Sequence, residues 1–166
     1  MTEPDDPGPS RGPDATPSPT FEVLVTDEQS VRIDPRALAA ALRRGMTSLG
    51  VPSGTTLSVT LAEPDAIAEI KNDAFGEHRT TDILAFPMDS IDEVVAGQHV
   101  LGDLVLCPIV ALEQARALGV PGEEEIVTLL AHGLLHLIGA DHDSPGAEID
   151  MADRQRSLVR SMRGAA

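Results

Sequence analysis

Residues 122–139 read GEEEIVTLLAHGLLHLIG. Apolar residues occupy nearly every side of the helix this stretch predicts, which makes it a buried element. Glu123, Glu124 and Glu125 fall in its first turn, where the helix dipole favours negative charge. Gly139 closes it, at a place where a residue tolerant of positive φ ends a helix. A helix buried on all sides needs other elements packed around it, and the flanking sequence supplies them.

Upstream, VALEQARALG (110–119) predicts a helix capped by Gly119, and VLGDLVLCP (100–108) a strand stopped by Pro108. SIDEVVAGQH (90–99) reads as an exposed loop, and TDILAFPMD (81–89) as a strand. PDAIAEIKNDAFG (64–76) is a helix closed by Gly76, and TTLSVTLAE (55–63) a strand before it. DPRALAAALRRGMTSLG (34–50) opens with Asp34 as N-cap and Pro35 at the first helical position, and FEVLVTD (21–27) alternates as a strand. Downstream, GAEIDMADRQRSLVRSMR (146–163) makes an amphipathic helix with its arginines late. No internal repeat is visible. The order predicts an α+β fold: a small mixed sheet of about four strands packed with about five helices.

Residues 1–20 hold six of the thirteen prolines and no Leu, Ile, Val or Phe. Such a segment cannot bury enough surface to offset its ordering entropy, so it reads as a disordered acidic tail before one domain at 21–166. The chain carries 12 Lys+Arg against 27 Asp+Glu, a net charge of −15. A duplex-binding surface that neutralises phosphates would be basic, so DNA is not an expected partner. Three phenylalanines, no Trp and no Tyr leave no aromatic ladder of the RNA-recognition-motif kind. The uncharged span 126–140 is too short and too polar for a membrane helix, and no secretory signal is visible. Cys107 stands alone, which excludes an internal disulfide; it reads as a small buried hydrophobe. A soluble cytoplasmic protein is the consistent expectation.

Three of the five histidines, His132, His136 and His142, fall within residues 131–143. His132 and His136 stand four apart, so both rings project from one helix face, one turn above the other. Buried imidazoles need partners. The bend at Gly139 can return His142 toward them, giving a three-nitrogen face of the kind that holds a catalytic zinc with one position left for water. The spacing H-x-x-x-H-x-x-G-x-x-H is also that of metzincin peptidases. Their general-base glutamate follows the first histidine; here that residue is Gly133, which disfavours peptide hydrolysis.

The pattern His132, Gly133, Leu135, His136, Leu137, Gly139, Asp141 and His142 resembles the signature of the YbeY family, bacterial metal-dependent endoribonucleases of ribosomal RNA maturation. TDILAFPMD and LGDLVLCP are similar to that family too, and the likeness covers residues 21–160. The resemblance implies His132, His136 and His142 as ligands of one Zn2+, held in a metal cleft beside the histidine-bearing helix, between it and the sheet, although other divalent transition metals suit three imidazoles. It implies Asp141 either orients a ligand or stabilises the bend. The family's substrate-facing arginine has no match, because its place holds Phe75 or Gly76; Arg79 is the nearest arginine for that catalytic role. The family's serine in the strand motif is Ala85 here.

The resemblance thus implies a zinc-dependent, single-strand-specific endoribonuclease acting on ribosomal RNA precursor, with the ribosome or a ribosome-associated protein as partner. Two other readings compete: a non-catalytic, metal-stabilised assembly factor, and a metal-dependent hydrolase of a small substrate.

Overall fold

The computed structural model describes residues 16–92, 98–140 and 146–164. β1 (Glu22–Glu28) is followed by α1 (Pro35–Ser48), where the Asp34 side chain accepts from the Arg36 N–H and Pro35 begins the helix. β2 (Thr55–Ala62) leads into α2 (Pro64–Phe75), ended by Gly76 at φ 71°. β3 (Ile83–Pro87) and β4 (His99–Leu106) come next, then α3 (Pro108–Leu118), α4 (Gly122–Leu137) and α5 (Ala147–Met162).

The sheet order is β1-β2-β4-β3. β1, β2 and β4 run parallel, and β3 pairs antiparallel with β4. Among the described residues this is the expected α+β architecture: a mixed four-stranded sheet with five helices. β3 therefore lies at an edge, with one side of its backbone open to approach.

Alternation divides the sheet into two faces. Leu57, Val59, Leu61, Leu104 and Leu106 point into the main core, against Leu42, Met46, Leu130, Leu134 and Met162 of α1, α4 and α5. Val105, Leu84 and Cys107 point the other way, into a smaller cluster with Ile67 of α2. Cys107 is fully buried there, the small hydrophobe expected, and burial pushes its thiol pKa up. It stands on the opposite face of the sheet from α4.

Two local readings change. His99, assigned to a loop, begins β4 and is buried, its Nδ1 2.8 Å from Thr55 Oγ1 and its Nε2 2.9 Å from the Ser90 carbonyl oxygen. A polar residue adds nothing to a hydrophobic alternation, and its partners lie 44 and 9 residues away. Pro108 ends a strand as expected but also opens α3, where its missing N–H costs nothing. Of the tail, residues 16–20 carry no regular element, and Thr20 is tied to Ser53 and Gly54. Residues 1–15 lie outside the described residues.

Candidate metal centre

α4 carries His132 and His136 on the face that looks toward β3. The helix stops where expected: Gly139 takes φ 85°, its N–H donating to the His136 carbonyl and that of Ala140 to Leu135. The two rings sit edge to face, with their Nε2 atoms 2.8 Å apart. His132 Nδ1 lies 2.9 Å from Gln155 Oε1 on α5. An amide oxygen only accepts, so His132 Nδ1 carries the proton and its Nε2 turns a lone pair toward His136.

Two donors of a metal site stand together here; among the described residues no group of three or more His, Cys, Asp or Glu could hold an ion. Two imidazole Nε2 atoms converge on one point, and the far nitrogen of one is fixed by an acceptor, as metal-ligating histidines require. His142 and Asp141 lie outside the described residues. His99 has both ring nitrogens engaged in holding β4, and His78 is exposed on the loop after α2.

The pair opens into a cleft of about 550 Å³ between α4 and β3. One wall is Ile83, Ala85 and Pro87 of the edge strand, and the other is Glu125, Thr128 and the histidines of α4. Gly133 explains the close approach of the walls, because a Cβ there would lie 2.8 Å from Leu104 Cδ2 and 3.0 Å from Ile83 Cδ1. Gly133, which stands where the metzincins carry their general-base glutamate, is thus also the residue that seats α4 on the sheet.

Sequence reasoning missed three residues of this cleft. Gln155 lies 23 positions from the histidine it orients, on a helix legible only as amphipathic. Asp82 carries no motif role, yet its carboxylate accepts from the Ile83 N–H at 2.7 Å and from Gln114 Nε2 at 3.1 Å. Glu125 was legible only as a dipole partner, but it is buried, 8% exposed, while Glu123 is exposed. The helical period could have shown this, since Glu125 stands seven residues before His132 on the same face.

Burial raises the Glu125 carboxyl pKa above its ordinary value, and the nearby charges of Asp82 and Glu124 add to that. The folded-state pKa therefore exceeds the unfolded one. Stability from this group is complete below the ordinary value of 4.5 and is lost as pH rises through the raised folded value. Glu125→Gln is expected to escape that loss. Its urea midpoint should overtake the wild-type value as pH rises from 4.5 and stay above it at neutral pH. Identical midpoints at neutral pH would show the carboxylate to be well solvated. Arg79 is not among the cleft residues: its side chain is 75% exposed, with Nη2 3.6 Å from Glu77 Oε2.

Comparison with known proteins agrees with this architecture. The family model described as Endoribonuclease YbeY matches residues 24–163. An Endoribonuclease YbeY of Beutenbergia cavernae is 40% identical over 139 residues, covering 81% of this chain and 93% of its own. One of Salinispora tropica is 38% identical over 152 residues, covering 86% and 97%. A solution structure of a Thermotoga maritima protein superposes with a TM-score of 0.61 over 87% of this chain and 90% of its own, at 23% identity, which speaks to the fold alone.

Proposed function

The chain belongs to the YbeY endoribonuclease family, and from that premise we propose that it is a zinc-dependent, single-strand-specific endoribonuclease of ribosomal RNA processing that works in the cytoplasm with the ribosome as partner. The observation that carries the reading is the convergence of the His132 and His136 Nε2 atoms inside an open cleft. His132, His136 and His142 would hold the ion. Zinc at such a site supplies a Lewis-acid charge that acidifies water and polarises a phosphoryl oxygen.

The chain's own residues do the rest. Gln155 holds His132 in the tautomer whose Nε2 lone pair faces the site. The carboxylate of Asp82, anchored by the Ile83 N–H and Gln114, is placed to take a proton, and the carboxyl of Glu125, pushed toward its neutral form, to give one. The apolar wall of Ile83, Ala85 and Pro87 narrows the cleft, which suits one strand of RNA. Arg79, exposed and weakly paired, binds the backbone of the approaching strand, not the reacting phosphate. No helix among the described residues is long and apolar enough to cross a membrane.

The test is chelation followed by reconstitution. Protein dialysed against a chelator should stop cutting single-stranded transcripts of ribosomal RNA precursor and resume when zinc is returned, leaving a duplex of the same sequence whole. Cutting that persists in chelator overturns zinc dependence. Unfolding on chelation, with no cutting in either state, favours the structural-metal reading. Intact RNA beside turnover of small phosphodiesters favours the small-substrate reading.

A further inference from the structure

The chain has three aromatic side chains besides its histidines, and two of them meet. Phe75, the last residue of α2, lies over Phe86 of β3, the rings 12° from parallel with centroids 6.0 Å apart. Phe86 is anchored against the smaller core cluster. Phe75 is 58% exposed, an aromatic surface given to solvent on a rigid support.

Two cations, Lys71 and Arg79, stand near it beside the carboxylates of Asp73 and Glu77, in a chain whose net charge is −15. Lys71, the only lysine, stands one helical turn before Phe75, and His78 and Arg79 follow it closely. Lys71 Nζ and Arg79 Nη2 lie 3.4 and 3.6 Å from one oxygen of Glu77. The Lys71 side chain is only 14% exposed, but Arg79 and Glu77 are 75% and 57% exposed, and an exposed ion pair is weak, so a phosphate can take the place of Glu77 at Arg79 at little cost.

The stack also adjoins the cleft. Ala85 and Pro87 line it, and side chains alternate along a strand, so Phe86 stands on the far side of the same edge strand. A strand that leaves the cleft over β3 meets Phe75 next. Met88, two residues beyond Phe86, is the one other large apolar side chain near the ring that is more than half exposed among the described residues, while Asn72, Asp73, Glu77 and His78 are polar and exposed, too little apolar surface for a protein partner.

We infer that Phe75, backed by Phe86, is a base-stacking subsite for single-stranded RNA, with Arg79 meeting an adjoining phosphate. Every base offers a π-face, so the subsite holds a strand without reading its sequence. The inference rests on the endoribonuclease reading for its ligand.

Because the protein has no tryptophan, Phe75→Trp places a single fluorophore at the subsite. The full-length variant, mixed in a stopped-flow cell with a single-stranded RNA oligomer, should show saturable quenching before cleavage. The same oligomer without bases should quench little. In the cleavage assay Phe75→Ala should raise KM about 5- to 100-fold, the range of base–aromatic stacking, with kcat and the circular-dichroism spectrum unchanged. Quenching equal with and without bases, or an unchanged KM in Phe75→Ala, would overturn the subsite while wild-type cutting leaves the enzyme reading standing. Failure of the wild-type protein to cut any RNA would strike that reading instead, and the quenching would still report on the subsite.

Discussion

His136→Ala is expected to fold, to lose its metal, and to cut RNA at least about 100-fold more slowly than the wild type. The lower bound has a physical source. Mutating a group that merely orients a ligand costs about 10- to 100-fold in metal affinity or activity, and a ligand nitrogen contributes more than its support does. Gln155→Ala marks the milder case: it removes the acceptor on His132 Nδ1 and leaves both Nε2 atoms in place. The fold should survive His136→Ala because the ring is half-buried at the cleft wall, not packed in the core, which is carried by Leu130, Leu134 and Leu135 of the same helix. Metal analysis of the purified variant, thermal unfolding and a cleavage assay check the three statements together. A variant that keeps stoichiometric zinc and cuts normally would remove His136 from the ligand set. One that unfolds would make the ion structural.

Why the histidines were legible and their setting was not follows from distance along the chain. His132 and His136 are related by one helical turn, a local geometry that holds wherever the helix forms. The end of α4 is equally local, because a glycine at φ 85° terminates a helix by itself. The proline-led starts of α1 and α2 belong to the same class. The sheet order β1-β2-β4-β3 does not, since β4 inserts between β2 and β3 through pairings some 40 residues apart. No periodicity encodes which strand lies at the edge, and without that the cleft wall and the Phe75–Phe86 stack cannot be foreseen. Gln155 and Asp82 become site residues only once α5, β3 and α4 are assembled, whereas Glu125, seven residues before His132, was within reach of the helical period. Arg79 shows the converse. Nearness in sequence to a family position suggested a place beside the metal, but the left-handed turn at Gly76 carries it onto an exposed loop.

Gly102→Ala is expected to destabilise the protein by about 3 kcal/mol, the upper part of the range for forcing extra volume into a packed interior. Gly102 lies in β4, opposite Leu57 on one side and Pro87 on the other, next to the point where the β2–β4 register shifts. A Cβ built there would stand 2.3 Å from the Phe86 carbonyl oxygen and 2.9 Å from Leu137 Cδ2. A leucine tip can turn aside, but a backbone carbonyl held in a ladder cannot, so β3 must move away from β4. The backbone conformation adds strain, φ being +150° at this residue. Gly76 separates the two causes: at φ +71° with nothing within 4 Å of its Cβ, alanine there carries only the left-handed penalty, about 1–2 kcal/mol. Urea unfolding at constant m-value measures both. Activity should fall in Gly102→Ala beyond what stability explains. The displaced carbonyl lies between Ala85 and Pro87 of the cleft wall, and Leu137 follows His136 directly on α4. A loss below about 0.5 kcal/mol, within the range of an ordinary surface substitution, would mean that the β3–β4 pairing has slack. The close approach of edge strand to histidine helix would then not depend on a bare Cα at this position.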